Sequence, residues 1–177
     1  MPIAQPAPTV TLEGIELRVL HLPLVSPFTT SFGTETVREV IVARALTADG
    51  DGWGEIVTQE SPLYSSEYTQ GAWDVSLRFL IPALLDRHTL APEDVASVLE
   101  PFVGHRMAKA GLELAILDAA LRAEGRPFGQ YLGAIRDRVP SGVSVGIQRD
   151  PAALVDTVRG YLDEGYVRIK IKIKPGR

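Results

Sequence analysis

The stretch "YVRIKIKIK", Tyr166–Lys174, decides how this sequence is read. Val167, Ile169, Ile171 and Ile173 alternate with Arg168, Lys170, Lys172 and Lys174. That period of two predicts a β-strand with one apolar and one cationic face. Immediately upstream, "DPAALVDTVRGYLDEG" predicts a helix with Asp150 as its N-cap, Pro151 at its first position and Gly165 at its C-terminal end. Before that, "VPSGVSVGI" (Val139–Ile147) reads as a short strand. Strand, helix, strand is a β–α–β unit, and its crossover helix implies parallel pairing.

Further toward the N-terminus the grammar differs. "LEGIELRVLHLPL" (Leu12–Leu24), "REVIVARALTADG" (Arg38–Gly50) and "WGEIVT" (Trp53–Thr58) read as three antiparallel strands, with "DGDG" (Asp49–Gly52) as a tight turn. "VSPFTTSFGTETV" lies between the first two and is too long for a simple turn, so it is expected to be a loop. From Ser65 or Ser66 as N-cap, a helical pattern runs to Leu85, with Pro82 expected to kink or end it. Pro92 opens a second helix. "HRMAKAGLELAILDAALRAEGRP" is the clearest helix, with Met107, Ala110, Leu114, Leu117 and Leu121 as its apolar face and Gly125 and Pro127 as its stop.

The expected organisation is a disordered, Pro-rich lead-in (1–11), an α+β domain of a three-stranded antiparallel sheet plus helices (12–133), and the first βαβ units of a (β/α) barrel (134–177). A chain of 177 residues can bury a real core. Its net charge of −4 argues against a general nucleic-acid binder. With no cysteine there is neither a disulfide framework nor a thiolate metal site. No apolar run approaches the roughly 18 residues that span a bilayer, and the first residues lack the pattern of a signal peptide. A bacterial-type cytoplasmic enzyme is the default expectation.

The lysine row has two readings. It could be an exposed edge strand whose charges discourage edge-to-edge association. Alternatively it is a barrel strand, whose alternate side chains point inward to where functional groups cluster. Lys170 and Lys172 would then share a face with Cα atoms roughly 6.6 Å apart. Neighbouring cations disfavour each other's charged form, and a neutral lysine is a competent general base.

Six blocks in order, "SPFTTSFGTETVRE", "GWGE", "PLYSSEY", "GHRMAKAGLELAILDAALRA", "VPSGVSVGI" and "YLDEGYVRIKIKIKPG", resemble the o-succinylbenzoate synthases of the enolase superfamily, muconate-lactonising subgroup. That family includes members that also racemise N-acylamino acids. The similarity runs from about Leu12 onward. It implies that the α+β part is a capping domain, that Lys172 is the acid/base and that Lys170 is its tuning neighbour. "KIKIK" contains two overlapping Lys-x-Lys motifs, and spacing from "DEGYVRI" and to "PG" selects Lys170 and Lys172. Lys174 stands where relatives often have an acidic residue. Phe28, in "SPFTTSFGT", and Gln59 through Tyr64 match the family's substrate-facing loops, and Ser144 is a further candidate contact. Phe28 and Tyr64 could equally be packing residues, and Ser144 a small core filler.

The resemblance implies dehydration of succinyl-hydroxycyclohexadiene carboxylate to o-succinylbenzoate, a menaquinone precursor, with Mg stabilising the dianion formed on loss of an α-proton. The metal ligands and an opposing lysine are expected beyond Arg177, since a (β/α)₈ barrel needs about 250 residues. Three readings follow: a truncated o-succinylbenzoate synthase, an N-acylamino acid racemase, or a non-catalytic binding or self-associating module. The partner implied is a small-molecule carboxylate, with neither nucleic acid nor membrane involved. The 177-residue chain alone is expected to be inactive, with apolar surface around Val167–Ile173 left uncovered and open to homo-oligomer formation.

The remaining conspicuous residues read as structural. "GWGE" looks like a hairpin return, with Trp53 packing and Glu55 structural. His21, His88 and His105 show no metal-ligand spacing, and Glu113 and Asp118 fall off a shared helical face. GxGxxG, Walker A and HExxH motifs are missing from the sequence.

Overall fold

The computed structural model describes residues 6–174. Within it the chain divides into two compact units. One comprises the residues up to Leu22 together with Glu39–Ile135, and the other Pro23–Arg38 together with the residues from Arg136 onward. Residues 1–5 of the expected lead-in and 175–177 of the expected barrel portion lie outside the described residues.

The first unit is built on strands β1 (Val10–Thr29), β2 (Thr34–Thr47), β3 (Gly50–Ile56) and β4 (Thr89–Leu90), in the sheet order β3-β2-β1-β4. The expected three strands are present, and β4 is a fourth. At two residues it is too short to carry a period, and it adds antiparallel to β1 through Val10↔Leu90 and Thr11↔Thr89. β2 and β3 pair from Ile41↔Ile56 to Thr47↔Gly50, so Ala48 and Asp49 form the turn read from "DGDG". The lead-in is ordered where it is described. Ala7 is buried, its N–H donates to Glu93 Oε1 at 2.8 Å, and Val10 and Thr11 already belong to β1.

Helices cover one face of this sheet. α1 (Thr69–Val75) starts later than the expected Ser65 or Ser66 cap, with Tyr68 at its N-cap. A π-helical turn, Ser76–Leu80, leads directly into α2 (Ile81–Leu85), with Pro82 in the first turn of α2. The helix therefore neither ends nor breaks at Pro82. The wider i→i+5 ring absorbs the missing donor and the ring's bulk. A 3₁₀ turn at Pro92–Asp94 opens α3 (Val95–Leu99), and α4 (Arg106–Ala123) is the central helix. α4 ends before Gly125, whose φ of +63° suits a left-handed C-terminal position. The short α5 (Phe128–Tyr131) follows.

The buried face of α4 is set by small residues. Ala108, Gly111, Leu112, Ala115, Ile116, Ala119 and Ala120 are buried together with Leu117 and Leu121, whereas Ala110 and Leu114 are exposed. A reading that weights bulky residues misplaces this face, because β3 approaches through glycine. A Cβ on Gly52 would stand 2.2 Å from the Ala115 carbonyl oxygen. Ile41, Ile56, Leu80, Leu84, Leu99, Leu112 and Ile116 complete the core.

The second unit contains the distal parts of β1 and β2, strand β5 (Val143–Val145), helix α6 (Pro151–Asp163) and strand β6 (Ile169–Ile171). The stretch read as a loop is instead a continued hairpin. β1 runs to Thr29 and β2 resumes at Thr34, with the turn closed by Thr30 N–H donating to the Gly33 carbonyl at 2.9 Å. β5 and β6 are parallel, in register Val143↔Ile169, Ser144↔Lys170 and Val145↔Ile171. Asp150 caps α6 by accepting from Ala153 N–H at 2.7 Å, and Gly165 has φ +93°. Both β5 and β6 are shorter than their sequence patterns.

Candidate active site

The β5/β6 ladder positions the candidate catalytic side chains. Val143 N–H donates to the Arg168 carbonyl and Lys172 N–H to the Val145 carbonyl, each at 3.0 Å, so pairing extends one residue past β6 at either end. In a parallel ladder, registered residues project to the same face. Ser144 and Lys170 are a registered pair, and Lys172 follows two residues later on that face. The other face carries Val143, Val145, Ile169 and Ile171. Of these only Val145 is buried, and Ile171, Ile173 and Val167 are exposed at 43%, 78% and 80%. Uncovered apolar surface around Val167–Ile173 is what the sequence pattern predicts.

Phe28 lies against this wall. Its ring centroid is 5.7 Å from Lys172 Nζ, within range of a cation–π contact. The residue after it, Thr29, accepts the Ile147 N–H through its carbonyl at 3.0 Å. Phe28, Ser144, Lys170 and Lys172 therefore all belong to the second unit. Gln59 and Tyr64 belong to the first. The Gln59 carbonyl accepts the Thr69 N–H at 2.9 Å, which fixes this segment at the start of α1, and Tyr64 is exposed.

A magnesium site needs several oxygen ligands converging on one point. Among the described residues no group of three His, Cys, Asp or Glu side chains comes together, so these residues do not by themselves make one. His21 instead pairs with Glu39 at 3.0 Å, and His105 precedes α4 with φ +51°. Asp118 accepts the Trp53 N–H at 2.9 Å and pairs with Arg122 at 2.7 Å, while burial pushes the Glu113 carboxyl above its ordinary range. Trp53 is not packed into the core: it is 45% exposed, with the Arg44 guanidinium 5.5 Å from its ring centroid. Together with Leu114, Leu117, Leu121 and Phe128 it lines a mainly apolar groove of about 640 Å³ between β3 and α4. Nothing in the sequence periodicity points to that groove, because Leu114 and Trp53 read as core residues. No described helix is long and apolar enough to cross a membrane.

Comparison with known proteins places the chain in a family. Residues 14–133 match the family described as mandelate racemase / muconate lactonizing enzyme, N-terminal domain. The chain is 57% identical over 165 residues to an N-succinylamino acid racemase of Amycolatopsis, covering 93% of this chain and 45% of the relative. It is 38% identical over 167 residues to an o-succinylbenzoate synthase of Geobacillus stearothermophilus, covering 94% and 44%. A crystal structure of an enolase-superfamily member from Listeria innocua superposes with a TM-score of 0.88 at 31% identity, over 95% of this chain and 46% of that one. The chain thus spans less than half the length of these relatives. By sequence and by fold it belongs to the mandelate racemase / muconate lactonizing enzyme family of the enolase superfamily, with the family's N-terminal domain over residues 14–133.

Proposed function

We propose that the full-length protein removes a proton α to the carboxylate of a small-molecule substrate, with Lys172 as acid/base and Lys170 as its neighbour. The observation that carries this reading is the shared face of Ser144, Lys170 and Lys172 on the β5/β6 ladder. A lysine held by a strand, beside a second cation and a hydroxyl, can present its amine to a C–H bond while the pair attracts a carboxylate. Phe28, Gln59, Tyr64 and Ser144 are the proposed substrate contacts. Magnesium is implied by the family, and its ligands would come from outside the described residues.

The names of both curated relatives contain a succinyl group, which supports a substrate bearing a second carboxylate. Racemisation of N-succinylamino acids is favoured by the 57% identity to a protein of that name. Synthesis of o-succinylbenzoate, a step toward menaquinone in the cytoplasm, is the second reading. It is supported by the 38% identity and by the six sequence blocks. The 177-residue chain by itself is expected to be inactive, since Val145 is the one buried apolar residue described in the second unit.

The test is Lys172→Ala in the full-length protein, assayed in both reactions. Turnover should fall about 10²- to 10⁴-fold, the usual worth of a positioned general base, while substrate still binds. Undiminished turnover would remove Lys172 from the mechanism. The ratio of kcat/KM for the two substrates ranks the two readings.

A further inference from the structure

We propose that Phe28 is a positioning residue for Lys172: its ring holds the lysine side chain on the active face of the ladder, a role separate from any contact with substrate. This rests on the reading of Lys172 as the acid/base. The argument starts from backbone geometry. Lys172 N–H donates to the Val145 carbonyl and Ile147 N–H donates to the Thr29 carbonyl, both at 3.0 Å. The three residues Val145–Ile147 thus serve as a common ruler for the lysine-bearing strand and for the end of β1.

Between those two anchor points lies Gly146. A Cβ there would stand 3.3 Å from both the nitrogen and the oxygen of Thr29, so a glycine lets the two backbones come this close. The hairpin end is also braced internally, by the Thr29 and Thr34 hydroxyls at 2.9 Å and by Phe32 N–H donating to Thr30 Oγ1 at 3.2 Å. Phe28, one residue before Thr29, is placed by these bonds with its ring centroid 5.7 Å from Lys172 Nζ. Lysine has a flexible four-carbon stem and gains little directional hold from a point charge. A ring face fixed through the backbone restricts where its ammonium can dwell.

The experiment uses the full-length protein with Phe28→Leu, which keeps apolar bulk but removes the π face, and Phe28→Trp, which keeps it. Lysines are labelled by ¹³C reductive methylation for NMR, and Lys172→Arg identifies the Lys172 signal by its loss. Phe28→Leu should move that signal from its ring-shifted position toward those of the exposed lysines, and Phe28→Trp should leave it ring-shifted. In the unlabelled enzyme Phe28→Leu should lower kcat about fivefold, the scale of a partly exposed cation–π contact, in addition to any rise in KM from a lost substrate contact. Phe28→Trp should restore kcat. An unmoved Lys172 signal in Phe28→Leu, or a rise in KM with kcat unchanged in both variants, would overturn the proposal and leave Phe28 as a substrate contact only. Full turnover by Lys172→Ala would instead defeat the acid/base reading, and the NMR arm would still decide whether the ring holds the lysine.

Discussion

Gly54 and Gly111 meet backbone to backbone: a Cβ on Gly54 would fall 2.0 Å from the Gly111 carbonyl oxygen. The reverse contact is also closed, since a Cβ on Gly111 would stand 2.4 Å from Ile56 Cγ1 and 2.9 Å from the Glu55 carbonyl. β3 and α4 are therefore in contact along a seam that admits no side chain.

Gly54→Ala should destabilise the protein by about 1–3 kcal/mol or more, the scale of overpacking against atoms that cannot yield. Gly160 is the control. It lies within α6 with open space around it, and Gly160→Ala should stabilise by roughly 0.5–1 kcal/mol through helix propensity. Urea unfolding of the two variants checks both signs, and a neutral Gly54→Ala would contradict the seam.

Glu67 supplies the cap that α4 lacks locally. His105 makes no side-chain capping bond, while Glu67 accepts the Met107 N–H at 3.0 and 3.1 Å and the Ala108 N–H at 3.3 Å. Glu67→Ala should cost about 1–2 kcal/mol. Hydrogen exchange should show faster exchange at the Met107 and Ala108 amides, with the middle of α4 less affected.

Tyr131 is pushed up to about 12, first by burial and then by donating its hydroxyl to Glu93 Oε1 at 2.9 Å. A raised phenol contributes stability that is complete below its ordinary value of about 10 and is lost as pH rises toward the folded value. Burial pushes Glu93 up, but bonds from Ala7 N–H, its own N–H and Tyr131, with the nearby Arg126, leave it below the ordinary range. Its contribution is therefore lost at the acid end. Absorbance titration should find one of the five tyrosines ionising near pH 12. Glu93→Gln should bring that tyrosine closer to 10.

Asp150 is held below the ordinary carboxylate range, chiefly by the hydrogen bond from Ala153 N–H and further by Arg149. Its capping contribution is present above the unfolded value and disappears as pH falls through the folded one. Asp150→Asn should keep the cap and flatten this acid limb, whereas Asp150→Ala should fray the start of α6 at every pH. Exchange of the Ala153 amide, followed against pH, separates the two.

The parts of the fold legible in advance were those with a local signature. The caps at Asp150 and Pro151, the stop at Gly125 and the alternation that makes β6 all act within a few residues of where they are written. The hairpin end was not legible. "SPFTTSFGT" is polar and contains Gly and Pro, yet Thr29 is extended because it finds the Ile147 N–H far along the chain. The α4 face is hidden from the sequence for a similar reason: Ala108, Ala115 and Ala119 carry little hydrophobic signal, and their burial is decided by the glycines of β3.

For the candidate site, the Lys170–Lys172 pairing on one face followed from period alone, and Ser144 joined it through register. The contact between Phe28 and Lys172 has no sequence signature, because it depends on where two hydrogen bonds hold two distant strands.

The division of the chain has a consequence for the order of folding. Joining Thr29 to Ile147 closes a loop of more than a hundred residues. In a flexible chain that closure would cost about 4 kcal/mol or more, from the logarithmic growth of loop entropy. Among the described residues of the second unit one buried valine offsets little of that. The intervening residues carry nearly the whole core, so their prior collapse shortens the effective loop. For these 177 residues by themselves, the lysine-bearing ladder should therefore be the last native contact to form and the first to open. Its lifetime, read by exchange at the Ile147 and Lys172 amides, would then report on a late local equilibrium well apart from global unfolding.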